Sequence, residues 1–298
     1  MTSLKSIVAA TDLSTASRHA VRRSAQLASD TGASLSLVHA LVGTALDDLR
    51  GWGPDGAAAA VAIEAEARDK LHAMALELQR THTIEVREEV VFGHPVIAVA
   101  QHAEESGADL IVTGTRGAGF FRGVVVGSTA ERIARRAARP VLMVRQSPRQ
   151  PYRRVLVPID FSPWSIGAIA LAREVAPRAT LVLIHAVELP YEGKLRLAGV
   201  SEESIAGHRD DARHAALTKL RAVASDSGLA KDEVRIVAVA GADPWMLIVQ
   251  EEQEQDCELV VIGKEGRHPL GELLLGSTAR MVIAECTSDV LLSTGRPS

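Results

Sequence analysis

The chain has 298 residues, 47% of them hydrophobic and 23% charged, with a formal net charge of -4. That length holds two domains of ordinary size, and the composition excludes a disordered chain, which needs fewer apolar residues and more net charge. The acidic balance gives no general pull toward nucleic acid or anionic membrane, and no run reaches the roughly 18 apolar residues of a membrane span. Aromatic residues are only 3%, so the core must be built from Val, Leu, Ile and Ala, the mixture of buried parallel strands under Ala-rich helices. The N-terminal MTSLKSIVAATDLS meets Asp12 and Ser14 before a secretory apolar region forms. It reads as a first strand, and a cytoplasmic location is expected.

Taken in chain order, the first half predicts strands over 5–11, 34–41, 83–91, 109–114 and 140–145, with helices over 15–30, 57–80, 95–106 and 128–138 between them. The helix over 57–80 is rich in strong helix formers, and its spacing sets Val61, Ala65, Leu71 and Leu78 on related faces. His94-Pro95 and Asp243-Pro244 read as helix starts with Pro in the first turn. The stretches 43–56 and 188–208 are variable connections that flank the end of the second strand of each half. Cys257 and Cys286 have neither metal nor disulfide-framework spacing and read as buried small apolar residues.

The second half repeats the first. LKSIVAATDLSTAS (4–17) matches YRRVLVPIDFSPWS (152–165), SLSLVHALV (34–42) matches TLVLIHAVE (180–188), and ADLIVTGTRG (108–117) matches CELVVIGKEG (257–266). An offset of 148 residues, from Asp12 to Asp160 (160 - 12), is too long for a solenoid unit and marks a duplicated domain. The domains are 1–147 and 151–298, joined by the Pro-containing QSPRQP. Strands alternating with helices predict two α/β sandwiches with parallel sheets, whose ligands bind beyond the carboxyl ends of the strands where strand order reverses.

At that place in the first half stands GTRGAGFFRGVVVGST (114–129), with five glycines in sixteen residues. Glycines between a strand and a helix let a ligand approach the backbone, whose amides and helix dipole suit a phosphate. Arg116 and Arg122 add positive charge. The bland alternative is a flexible loop with Ser128 or Thr129 capping the helix. The second copy, GKEGRHPLGELLLGST (263–278), decides for phosphate: both keep Gly, two residues, Gly, nine residues, Gly-Ser, while nearly everything between differs.

This pattern, with a strand-ending Asp early in each domain, resembles the universal stress protein family and its ATP-binding branch. The resemblance covers essentially the whole chain. It implies a five-stranded parallel sheet of order 3-2-1-4-5 in each domain, with adenine and ribose beside the first two strands and the triphosphate in the glycine loop. On that resemblance the first site comprises Ala10, Thr11, Asp12, Ala40, Thr113, Gly114, Arg116, Gly117, Gly127, Ser128 and Thr129. The second comprises Pro158, Ile159, Asp160, Ala186, Ile262, Gly263, Glu265, Gly266, Gly276, Ser277 and Thr278. ATP with Mg²⁺ is the implied cofactor, and the terminal strands imply an intrachain pseudo-dimer open to further dimerisation and to a protein partner. Glu265 and Glu272 have no counterpart in the first loop. They predict a weaker second site, which Lys264 or Mg²⁺ rescues.

No residue is singled out as catalytic and no metal site is predicted. His39 and His185 recur near the end of the second strand without a paired nucleophile or carboxylate, and read as structural. There is no P-loop, no G-x-G-x-x-G after the first strand and no nucleophile elbow. A nucleotide-dependent stress or signalling protein is the leading reading. A slow ATPase and a protein-contact module without ligand are the alternatives.

Overall fold

A computed structural model of the chain describes residues 4–115, 128–188, 192–241, 243–266 and 275–295. It divides into two compact units, Met1–Pro151 and Tyr152–Ser298. Unit 1 runs β1 (Ser6–Ala10), α1 (Arg18–Thr31), β2 (Ser34–Leu41), α2 (Gly43–Arg50), α3 (Pro54–Thr81), β3 (Val86–Phe92), α4 (Pro95–Glu105), β4 (Leu110–Gly114), α5 (Ser128–Arg136) and β5 (Val141–Val144). Its strands lie in the order β3-β2-β1-β4-β5, and every pairing is parallel.

Unit 2 repeats the plan with β6 (Arg154–Pro158), α6 (Pro163–Val175), β7 (Thr180–Val187), α7 (Glu192–Leu197), α8 (Glu202–Asp226), β8 (Val234–Ala240), α9 (Pro244–Glu254), β9 (Leu259–Gly263), α10 (Ser277–Glu285) and β10 (Asp289–Ser293). The order β8-β7-β6-β9-β10, again parallel, is the first unit's order strand for strand. In each unit the chain leaves the first strand to one side, then returns to its other side. The crevice opened by that reversal lies at the carboxyl ends of β1 and β4, and of β6 and β9.

The central strands are apolar because helices cover both of their faces. Leu110, Ile111 and Val112 of β4 and Leu259, Val260 and Val261 of β9 are all 0% exposed, and each such side chain contributes about 1.5–3 kcal/mol by leaving water. A duplicated polar clamp begins each first strand. Asp109 Oδ2 accepts from Lys5 N at 2.9 Å and Ser6 N at 3.0 Å, and Glu258 Oε2 accepts from Arg153 N at 3.1 Å and Arg154 N at 2.8 Å. The carboxylate thus ties the fourth strand's start to the first, and sets their register.

Two features differ from the sequence expectation. The short helices α2 and α7 lie within the variable stretches, where no amphipathic period is long enough to read. On α3 the buried face runs through Ala60, Ala67, Leu71, Met74, Ala75 and Leu78, whereas Val61 is 65% exposed and Ala65 is also exposed. Each residue turns the helix by about 100°, so Val61, one position past the buried Ala60, and Ala65 fall outside this stripe and face solvent. Among the described residues no helix is long and apolar enough to cross a membrane.

Both cysteines are buried. Burial pushes the Cys257 thiol up to about 12, with Arg154 pulling it down and Glu252, Glu258 and Glu251 pushing it further up. Cys257 is therefore expected to stay unlabelled by an aromatic disulfide reagent at pH 8 in the native protein and to react within seconds after denaturation. Peptide mapping of native labelled protein checks this; rapid modification of Cys257 would contradict its burial.

Candidate functional site

The carboxyl end of the first strand is built the same way in both units. In unit 1, Thr11 N donates to Val38 O at 2.9 Å, which carries the sheet one residue past β1. The chain then turns through Leu13, a non-glycine residue at φ +62°. Such a conformation is uncommon for a branched side chain and persists only where its surroundings hold it. Here Leu13 N donates to Thr11 Oγ1 (3.1 Å), Ser14 N to Asp12 Oδ1 (3.0 Å), and Ser17 N to Ser14 Oγ (3.2 Å). Ser17 Oγ gives its proton to Ser14 O at 2.9 Å and stands 2.8 Å from Thr11 Oγ1. The buried Thr11 side chain is thereby committed to the turn, and the exposed Asp12 carboxylate is what the strand presents at the edge.

Unit 2 copies this with Phe161 at φ +63°. Asp160 Oδ1 accepts from Ser162 N at 2.9 Å and from Ser162 Oγ at 2.6 Å, while Ser165 N donates to Ser162 Oγ to cap α6. Leu13, Phe161, Ser17 and Ser165 are the working residues that the sequence reading left unassigned. The Ser-x-x-Ser spacing after each Asp, kept in both halves, was the available signal.

His39 and His185 are structural, as their isolation in the sequence implies. Nδ1 of His39 lies 2.8 Å from Thr11 O, and Nδ1 of His185 lies 2.6 Å from Ile159 O. Because a carbonyl only accepts, each ring donates from Nδ1 and pins the second strand to the residue before the Asp. The His185 ring also packs on Phe161, with centroids 4.5 Å apart. Ala40 and Ala186 follow these histidines and are half-buried at the same edge.

The fourth strand brings the next group. In unit 1 the register sets Ala10 beside Thr113, so Asp12 lies just past the level of Gly114. Thr115 N then donates to Val144 O at 3.1 Å. Ser128 and Thr129 open α5. Arg116, Gly117, Arg122 and Gly127 lie outside the described residues.

Unit 2 shows both ends of its loop, while Arg267 and Glu272 lie outside the described residues. A Cβ on Gly263 would sit 3.0 Å from Glu265 O and 3.2 Å from Trp164 Cβ, so the absence of a side chain lets α6 close on the end of β9. Lys264 N donates to Ser293 O at 2.8 Å, and Gly276 N donates to Lys264 O at 3.0 Å, which joins the loop's two ends. A Cβ on Gly266 would sit 3.1 Å from Asp160 Oδ2. Asp160, Gly266, and Gly276 with Ser277 and Thr278 at the start of α10 are thus brought together, beside Pro158, Ile159 and Ile262. The first-turn amides of a helix have no intrahelical partner, so this corner has the chemistry of an anion cradle beside the Asp160 carboxylate.

Lys264 stands differently from its place in the sequence reading, where it is a loop cation. It is 6% exposed, and burial lowers its pKa while Glu265 partly raises it. A lysine with a depressed folded pKa binds fewer protons than its unfolded counterpart, so stability rises with pH toward the unfolded value near 10.5 and is lost as pH falls through the folded one. Lys264→Met is expected to remove this slope. Urea midpoints of both proteins at pH 8 and 10.5 test it, and equal shifts in the two would refute it.

An open parallel sheet duplicated in one chain, each copy with a strand reversal beside its first strand, defines a tandem α/β protein of two doubly wound units. The chain belongs to the universal stress protein family: the sequence model of that family matches residues 3–145 and again 151–293. A universal stress protein of Mycolicibacterium smegmatis is 27% identical over 296 residues, covering 96% of both chains. The crystal structure of a universal stress protein from Archaeoglobus fulgidus superposes with a TM-score of 0.65 at 22% identity, covering 97% of this chain and 98% of that one. A universal stress protein solved in complex with cAMP is 27% identical and covers 49% of this chain and all of its own, with a TM-score of 0.38.

Proposed function

We propose that each half of this universal stress protein binds an adenine nucleotide, ATP with Mg²⁺, and that occupancy makes it a nucleotide-dependent stress-response or signalling protein of the cytoplasm. The observation that carries the reading is the approach of Gly266 to Asp160 Oδ2 beside the start of α10. It puts the Asp160 carboxylate beside main chain at the start of α10, and that neighbourhood supports a reading in which the carboxylate meets ribose or base and the main chain meets phosphate. In each site Asp12 or Asp160 takes the ribose and base edge, Ala40 or Ala186 lies against the base, and the glycine loop with Ser128-Thr129 or Ser277-Thr278 takes the phosphates. Where the triphosphate meets Glu265, Mg²⁺ offsets the repulsion between carboxylate and phosphate. Lys264 is too deeply buried to be its main counter-charge.

The test is mass spectrometry of nucleotide released from freshly purified protein by denaturation, then calorimetric titration of the emptied protein with Mg-ATP. ATP in the release and two binding steps, the weaker one assigned to the second half, are expected. No nucleotide and no heat would leave the fold standing and move the function to protein contacts. Production of ADP during the titration would instead favour a slow ATPase.

A further inference from the structure

Each unit places a short helix after its second strand, and the two copies are held in different ways. In unit 1, α2 is packed: Leu46 is 4% exposed, and the corner with α3 is so close that a Cβ on Gly56 would fall inside contact distance of Leu49 O. Arg50 of α2 also pairs with Glu64 of α3 at 2.5 Å, but the packed corner remains when that pair is screened. In unit 2, α7 has no buried side chain, and Leu197 is 90% exposed. A run of alternating charge joins α7 to α8. Glu192 Oε1 accepts from Arg209 Nη2 at 2.5 Å and from Arg196 Nη2 at 2.8 Å, and Arg196 Nε donates to Glu202 Oε1 at 2.8 Å. Arg209 and Glu202 belong to α8, so the run crosses between the helices twice.

The place of α7 ties it to the second carboxyl edge. Strands β7 and β8 are parallel, so α8 carries the chain back from the carboxyl ends to the amino ends. Ala216 of α8 clusters with Val187, the last residue of β7, and with Ala238 of β8. Glu202 lies about 21 Å nearer the start of the helix at 1.5 Å per residue, so the first half of α8 stands beyond the carboxyl edge. Arg213 Nε donates to Ala238 O at 3.0 Å, which anchors α8 at the root of this overhang. Helix α7 rests on the overhang and follows the strand end that carries Ala186, the residue assigned to the base. Exposed ion pairs are weak and salt screens them, and a segment with few buried apolar contacts opens readily.

We propose that α7 is a detachable wall of the second nucleotide site, fastened by the Glu192 ion pairs, and that its release sets the rate at which the second half exchanges nucleotide. The first half, whose α2 is fastened by packing, exchanges without this control. Such control presupposes the nucleotide reading above, whereas the latch itself is a property of the empty protein.

Two measurements on the full chain keep these levels apart. The first is hydrogen exchange without nucleotide, as NaCl rises from about 0.01 M to about 1 M and the Debye length falls from about 30 Å to about 3 Å. Exchange at 192–197 is expected to quicken several-fold, while exchange at 43–50 stays constant. Arg209→Gln is expected to give fast exchange at 192–197 at both salt concentrations, and Arg209→Lys, which keeps the charge, to restore the salt dependence. The second is stopped-flow release of a fluorescent ATP analogue at low salt, the second half's phase being the one missing from Gly266→Val. That phase is expected to be several-fold faster in Arg209→Gln, with the other phase unchanged. Salt-independent exchange of α7, or a second-half phase unmoved by Arg209→Gln, overturns the proposal. An analogue that fails to bind at all overturns the nucleotide reading and with it the gating, and the exchange measurement then still reports on the latch.

Discussion

Gly266→Val is expected to cut nucleotide affinity in the second half by about a hundredfold or more, ~2.8 kcal/mol at 1.4 kcal/mol per factor of ten, while the fold and the first half's binding persist. Gly266 is not in the left-handed region, so the substitution acts by filling space and adds no backbone strain. Its first carbon alone would sit 3.1 Å from Asp160 Oδ2, and Gly266 N is 3.9 Å from the Cβ position of Gly276. Two further methyl groups on that carbon crowd the space beside Asp160 and the start of α10 still more. That is the volume assigned to phosphate. Calorimetry with Mg-ATP is expected to fall from two binding steps to one, with an unchanged urea midpoint. Two undiminished steps in a folded Gly266→Val protein would remove the loop from the site.

Gly56→Ala is expected to be the most destabilising single-methyl change, by about 3 kcal/mol, the upper range of overpacking. A Cβ at Gly56 would fall well inside contact distance of Leu49 O, and 2.9 Å from Trp52 Cβ. The clashing group is main chain, which a rotamer change cannot move. The corner between α2 and α3 must therefore open, and α2 directly follows β2 at the carboxyl edge. Urea unfolding together with limited proteolysis at 43–56 checks this. A wild-type midpoint and an uncut α2 would show that the corner yields at no cost.

The duplicated strand and helix plan was legible in the sequence because parallel strands covered on both faces must be continuously apolar. The runs ending at Asp12 and Asp160 have that composition, and the predicted strand over 34–41 coincides with β2. Helices α2 and α7 were not legible. GTALDDLR is two turns long, and its position depends on Gly56 admitting Leu49 at the corner, a contact between residues whose proximity no local pattern encodes.

The site divides the same way. By itself the sequence determined the tandem repeat, the paired glycine spacing and the strand-ending carboxylates, because backbone freedom and charge belong to residue type and survive in the order of letters. Only the tertiary structure decided that Leu13 and Phe161 turn through positive φ under Ser-x-x-Ser clamps, that His39 and His185 serve carbonyls, and that Lys264 is buried. The reason is physical: a hydrogen-bond partner or a buried charge is set by which strand ends meet across the sheet, and that meeting depends on the register between segments far apart in the chain.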